Sequence, residues 1–99
     1  VLSTQAKTPG GGGAPTAVTR AAGMALTKVL SHEGAPHGIL VNGLMVGIIE
    51  SDQWVRRHAT DPRGLSWEEW KRDAAKGAPL GRLGKAEEFA ALAVFLCSE

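Results

Sequence analysis

Thr16 and Arg20 lie four residues apart in a run of helix-forming residues, so their side chains share one face of a helix. The arginine stays charged and can donate hydrogen bonds to hydroxyl groups. The threonine hydroxyl can orient a carbonyl group or a water molecule, but it is far less acidic than a phenol, whose pKa is ~10. The sequence contains no tyrosine. These two side chains can bind and orient polar groups, and the threonine is a poor proton donor.

The helix that carries this pair is predicted over residues 16–33, with Pro15 at its entry and Gly34 and Pro36 at its end. Apolar residues occupy most directions around it, so we expect it to be buried on more than one side. The four consecutive glycines in residues 7–15 predict a loop before it.

Residues 39–49 form a near-continuous apolar run, which is typical of a parallel strand covered on both faces. Residues 1–4 resemble the end of another strand. Strand end, helix and strand form one crossover unit, which favours an α/β fold. One strand and one strand end cannot cover these helices. We therefore expect further strands upstream and regard the chain as a fragment of a larger domain.

The rest of the chain is predicted to be helical. Residues 51–59 are amphipathic, Ser66 and Glu69 match a capping box for a helix to about Lys76, and a last helix begins near Lys85. A buried stripe is expected in that last helix at Phe89, Leu92, Ala93 and Leu96. Cys97 is expected to be a small buried apolar residue.

The composition excludes several classes of protein. The net charge is +1 without a basic stripe, so nucleic acid is not an expected partner. The longest apolar run is shorter than the ~20 residues of a membrane span, so no membrane partner is expected. The single cysteine fits a reducing cytosol, and we expect a cytoplasmic protein.

Several segments together resemble the short-chain dehydrogenase/reductase family. Residues 16–30 resemble its active-site helix, and residues 35–42, APHGILVN, are similar to its pattern APxGIRVN. Residues 46–51, VGIIES, stand where the family has PGxIxT, with Val46 in place of proline. Residues 79–90, PLGRLGKAEEFA, resemble PLxRxGxPEEIA, and residues 95–98, FLCS, resemble FLxS. The matches are in order and cover nearly the whole chain.

The resemblance implies a Rossmann-type doubly wound parallel sheet, of which residues 1–99 are the C-terminal part. It also implies NAD or NADP as cofactor and a small carbonyl or alcohol substrate, with a substrate-binding lobe at about residues 51–78. The family uses Ser and Tyr-x-x-x-Lys for catalysis. Ser3 fits the serine because it precedes position 16 by 13 residues, whereas Thr16 and Arg20 replace the tyrosine and the lysine.

Cofactor contacts are implied for four residues. Arg20 would bind ribose hydroxyls, Gly47 would let the backbone approach the nicotinamide, Ile49 would offer main-chain contacts, and Ser51 would offer a hydroxyl. For Gly47, a simple bend at the strand end is an equally good interpretation. The resemblance also implies a homo-oligomer that forms through the helix 16–33.

Three outcomes stay open for the chemistry. The protein catalyses weakly through water, Ser3 or Thr4, or it uses another acid such as His58, or it is a non-catalytic relative that binds nucleotide or supports a partner subunit. For His58, a solvated side chain beside Arg56 and Arg57 is the better hypothesis. Core packing or a lid is favoured over substrate stacking for Trp54, Trp67 and Trp70.

Overall fold

A β-α-β crossover occupies residues 1–47 in the computed structural model, which describes residues 1–98. Strand β1 (Leu2–Ser3) and strand β2 (Met45–Val46) pair in parallel, with Leu2 opposite Met45 and Ser3 opposite Val46. Helix α1 (Ala14–Gly34) connects them. The predicted order of strand end, helix and parallel strand is therefore confirmed.

Helix α1 begins two residues before the predicted start, because proline fits the first turn of a helix and Pro15 stands there. It ends at Gly34, as predicted, and a 3-10 turn follows over Ala35–His37. Gly38 then takes a positive φ of 68°, which a residue with a Cβ adopts only with strain.

The expected burial of α1 on more than one side is wrong for the described chain. Ala17 and Gly34 are its buried residues, whereas Val18, Leu26 and Val29 are 66%, 55% and 51% exposed. Two strands of two residues each offer too little surface to cover so wide an apolar arc.

The long buried strand predicted over residues 39–49 is also wrong. Only Met45 and Val46 form strand, and Ile39 and Leu40 are 56% and 86% exposed. A strand exists through its hydrogen-bonded neighbours, and β1 offers just two residues for pairing. The apolar run indicated a strand correctly, but it did not indicate its length.

A second compact unit begins at Ile48, and three α-helices are described in it: α2 (Asp52–Ala59), α3 (Trp67–Ala74) and α4 (Ala86–Cys97). The predicted capping box is confirmed. Ser66 Oγ accepts a hydrogen bond from Glu69 N at 3.3 Å, and Glu69 Oε2 accepts one from Ser66 N at 2.9 Å. A 3-10 turn over Ala75–Gly77 ends α3 near the predicted position.

An aromatic cluster holds α2 and α3 together. Trp70 is 5% exposed and lies 5.6 Å, centroid to centroid, from both Trp54 and Trp67. The His58 ring lies 5.3 Å from Trp67, and its Nε2 is 2.8 Å from the Leu65 carbonyl oxygen. The solvated His58 of the sequence analysis is therefore wrong. Core packing is confirmed for Trp70, whereas Trp54 and Trp67 are half-buried beside it.

Asp61 connects this cluster to a network of charges. It accepts a hydrogen bond from Trp70 Nε1 at 2.8 Å and a forked pair from Arg63, whose Nη1 also reaches Asp73 at 2.6 Å. The hydrogen bonds from Arg63 hold the pKa of Asp61 far below its usual range. These side chains thereby tie the loop between α2 and α3 to α3.

A second pair of hydrogen bonds from an arginine fixes the start of α4. Arg82 donates to both carboxylate oxygens of Glu88, at 2.8 and 2.6 Å, and Lys85 N donates to the same carboxylate at 2.7 Å. The Arg82 guanidinium is the larger cause, and together these donors lower the pKa of Glu88 to about 2.

Two expectations for α4 are wrong. Leu92 of the predicted buried stripe is 50% exposed, and Cys97 is exposed rather than buried. The stripe has the spacing of a packed face, but the described residues supply no neighbour to cover Leu92.

Trp70→Ala should lower the free energy of unfolding by about 3–5 kcal/mol, because it removes the buried centre of the aromatic cluster. Leu80→Ala is the control. Leu80 is 82% exposed, so this variant should stay within about 0.5 kcal/mol of the parent. Urea unfolding of the whole protein, followed by tryptophan fluorescence and by circular dichroism, measures both. Equal midpoints for the two variants would contradict this role of Trp70.

Glu88→Gln should lower the unfolding temperature at neutral pH. The ordinary pKa of 4.5 falls to about 2 in the fold. The carboxylate therefore stabilises the protein fully above about pH 4.5, and this stabilisation is lost as the pH falls towards 2. The difference in unfolding temperature between the parent and the variant should therefore decrease as the pH falls from about 4.5 towards 2. Glu87→Gln is the control, because Glu87 has no hydrogen bond to Arg82 in the described structure. A difference in unfolding temperature that stays constant down to about pH 3 would refute the stabilising role of the ionised Glu88.

Candidate active site

The carboxyl ends of the two parallel strands bring Ser3, Thr4 and Gly47 together. Ser3 is paired with Val46, and Gly47 follows directly. A Cβ added to Gly47 would lie 3.9 Å from Thr4 Cγ2. In open α/β sheets this edge is where ligands bind.

The Ser3 hydroxyl is oriented by the turn that follows it. Its Oγ accepts a hydrogen bond from Gln5 N at 3.3 Å and caps the 3-10 turn Thr4–Ala6. An accepting hydroxyl keeps its own proton free to donate. Ser3 is half-buried, so that proton is held in a limited range of directions. Sequence reasoning missed the part played by Gln5 N; the signal for it is the tendency of serine to bond the backbone two residues on.

Helix α1 runs so that its N-terminal end lies at this edge of the strands. Gly13, just before α1, lies near Gln5, which follows β1: a Cβ added to Gly13 would be 3.5 Å from Gln5 Oε1. Further along α1, Thr27 lies near Gly43, which precedes β2: a Cβ added to Gly43 would be 3.4 Å from Thr27 Cγ2. Thr16 is in the first turn of α1, and its side chain is exposed. Among residues 1–98, no hydrogen bond joins Thr16 to Ser3.

Arg20 lies one turn further along the same face of α1. Its Nη1 donates to the Val1 carbonyl oxygen at 3.1 Å, and the side chain is exposed. A guanidinium has five N–H donors, so most of them stay available for a ligand. The structure places Arg20 beside β1.

Ile49 and Ser51 belong to the second unit. Ile49 forms an isolated parallel bridge with Gly84, in which Gly84 N donates to Ile48 O at 2.9 Å and Glu50 N donates to Gly84 O at 2.8 Å. The bridge therefore leaves the N–H and C=O of Ile49 itself unused. A Cβ on Gly84 would lie 2.5 Å from Ile49 Cδ1, so the close approach requires a glycine or a shifted isoleucine.

Ser51 precedes α2 as its N-cap, but the cap is made by the backbone. Ser51 O accepts hydrogen bonds from Trp54 N and Val55 N, at 2.9 and 3.2 Å, while the side chain makes no capping bond. The hydroxyl is exposed, so it can bind another group.

No group of His, Cys, Asp and Glu side chains within residues 1–98 is arranged to hold a metal ion, and no helix in that range is long and apolar enough to cross a membrane. His58 has its Nε2 at the Leu65 carbonyl oxygen. A carbonyl accepts only, so this nitrogen donates its proton to the backbone.

The chain has an α/β fold, and comparison with known proteins identifies its family. The family model described as enoyl-(acyl carrier protein) reductase matches residues 1–99. The chain belongs to this family, a branch of the short-chain dehydrogenases/reductases.

Three known proteins illustrate the similarity. A short-chain oxidoreductase from Pseudomonas aeruginosa, solved with NADPH bound and described as containing an atypical catalytic center, matches 98% of this chain with a TM-score of 0.87 and 37% identity. Rabbit L-fucose dehydrogenase is 39% identical over 88% of the chain, and the 3-oxoacyl-(acyl-carrier-protein) reductase of Aquifex aeolicus is 40% identical over 82%. The chain spans 37%, 30% and 29% of these three proteins, respectively. The similarity confirms the Rossmann-type α/β fold.

Gly47→Ala should leave the free energy of unfolding within about 0.5 kcal/mol of the parent. Gly47 has no positive φ, and a Cβ there would make only an ordinary contact. Gly38→Ala is the matched control and should cost about 1–2 kcal/mol, because Gly38 adopts the left-handed conformation. Chemical unfolding of the whole protein compares the two. A larger loss for Gly47→Ala than for Gly38→Ala would show that Gly47 serves the fold.

Proposed function

We propose that this chain forms part of an NADPH-dependent oxidoreductase that interconverts a carbonyl compound and its alcohol at a centre without the usual tyrosine. The arrangement of Ser3 carries the proposal, because its hydroxyl proton is free to donate at the carboxyl edge of paired parallel strands. The NADPH-bound relative from P. aeruginosa supports the choice of cofactor, as does an NADPH-dependent reductase from Bacillus subtilis that is 36% identical over 94% of the chain.

The residues present fit a nicotinamide cofactor. Gly47 has no side chain at the strand end, although neither its φ nor the space around it demands a glycine, so the simple bend is the weaker interpretation. Ile49 offers an unused N–H and C=O, and Ser51 offers a free hydroxyl. Arg20 would donate to the ribose hydroxyls. When the cofactor is bound, its reduced nicotinamide supplies hydride.

The protein's own residues would orient the carbonyl and bring a proton to it. Ser3 donates a hydrogen bond to the carbonyl oxygen, and Thr16 orients the same oxygen or a water molecule. Neither an aliphatic hydroxyl nor an arginine gives up a proton readily near neutral pH. We therefore assign the proton to water held by these side chains. This arrangement retains the support of the developing oxyanion and gives up most of the general acid catalysis.

A homo-oligomer through α1 is also part of the proposal. Val18, Leu26 and Val29 leave an apolar stripe exposed on this helix, and exposed stripes of this kind are common at protein interfaces. Light scattering on the whole protein reports the number of copies.

Calorimetric titration of the whole protein with NADPH and with NADH tests the cofactor first. We expect saturable binding of NADPH in the micromolar range, and about tenfold weaker binding by Gly47→Ala, which is the effect of ~1.4 kcal/mol. A folded protein that binds neither nucleotide would refute the proposed function. In that case a structural relative without catalysis would be the better hypothesis.

The variant Thr16→Tyr/Arg20→Lys tests the assignment of the proton. A phenol in place of Thr16 should raise kcat for carbonyl reduction by about 10²-fold, the lower end of what general acid catalysis contributes. Thr16→Phe/Arg20→Lys differs by a single hydroxyl group and should give no increase. Equal kcat values for the two variants would contradict the placement of Thr16 at the reacting oxygen.

A further inference from the structure

The second unit contains a cavity of about 230 Å³ between α3 and the loop before α4. The charged residues that line it are Lys71, Arg72, Arg82, Lys85, Glu50 and Glu68. Four cations thus face two carboxylates. None of these six residues belongs to the candidate active site.

Two of the cations are held in place before any ligand arrives. Lys71 Nζ lies 2.8 Å from Glu68 Oε1 and 5.4 Å from the centroid of the Trp67 ring. Arg82 is fixed by its fork with Glu88, a residue outside the cavity. Their side-chain entropy is largely lost on folding, so a ligand would not have to order them again.

The other two cations have no carboxylate partner in the described part of the chain. The Nε of Arg72 contacts only the Glu68 carbonyl oxygen, at 3.4 Å, and no ion pair involves Lys85. Both residues are exposed, and both line the cavity. Arg72 and Lys85 therefore keep side-chain hydrogen-bond donors that no carboxylate of the described residues contacts directly, while Glu69 and Glu88 act on them only at longer range.

We propose that this cavity binds one small oxyanion, a phosphate or a carboxylate group carried by a small molecule. Arg72 would offer a planar pair of N–H donors and Lys85 a point charge, the two ways in which proteins bind such groups. The volume admits a phosphate with a few attached atoms and is too small for a dinucleotide. Glu50 also lines the cavity, and its carboxylate could accept a hydrogen bond from a hydroxyl group of the same ligand.

Calorimetric titration of the whole protein with inorganic phosphate and with malonate tests the proposal, with sodium chloride at equal ionic strength as the blank. The protein is first saturated with NADPH, so that any cofactor phosphate site is filled, and the titration is repeated without NADPH. We expect saturable binding in both series. Phosphate alone would indicate a phosphate ester, malonate alone would indicate a carboxylate ligand, and binding of both would indicate a general oxyanion site.

Variants decide whether the binding occurs in this cavity. Arg72→Gln and Lys85→Gln should each weaken it by about tenfold, because each removes one charge-assisted contact. Lys76→Gln makes the same change of charge outside the cavity, at a side chain that is 77% exposed, and should bind like the parent. Parent-like affinity in both cavity variants, or heats no larger than those of sodium chloride, would overturn the proposal.

Discussion

The position of Leu2 is the constraint on which the candidate active site depends. This side chain is buried, and it meets helix α1 at Gly23 and the approach to β2 at Gly43, where an added Cβ would come within 2.8 and 3.1 Å of it. Because side chains alternate along a strand, burial of Leu2 turns Ser3 towards the opposite face. A slip of one residue in the pairing with β2 would reverse both side chains and remove Ser3 from the site.

Features that depend on neighbours in the sequence were predictable. The capping box at Ser66, the end of α1 at Gly34 and the start of α4 after Lys85 involve a few consecutive residues, and the structure contains all three. Features that depend on distant partners were not. The run 39–49 has the composition of a buried strand, but its pairing is limited by the two residues of β1. For the same reason, helical spacing alone could not establish the exposure of Leu92 and Cys97.

The same distinction between neighbours in sequence and partners in space applies to the candidate site. The resemblance to the family selected Ser3, Thr16 and Arg20 as candidates, and their role stays a prediction. The bonds of these residues depend on how the backbone folds around them: Gln5 N donates to Ser3, and Arg20 donates to the Val1 carbonyl. His58 was misjudged for a related reason. Its neighbours in sequence are arginines, whereas its neighbours in space are Trp67 and Trp70.

Under the proposed function, the replacements at positions 16 and 20 are physically consistent with each other. The family's lysine lowers the pKa of the tyrosine and also binds the ribose. Once position 16 carries threonine, no phenol remains whose pKa a cation could lower, and only the binding role is left for position 20. Arginine suits that role, because its planar fork loses less freedom for each hydrogen bond than a lysine ammonium does. In the proposed site, the pair Thr16 and Arg20 would therefore keep a role in cofactor binding and give up acid strength. In such a site the rate of reduction would depend on how fast water supplies the proton rather than on the affinity for the nucleotide.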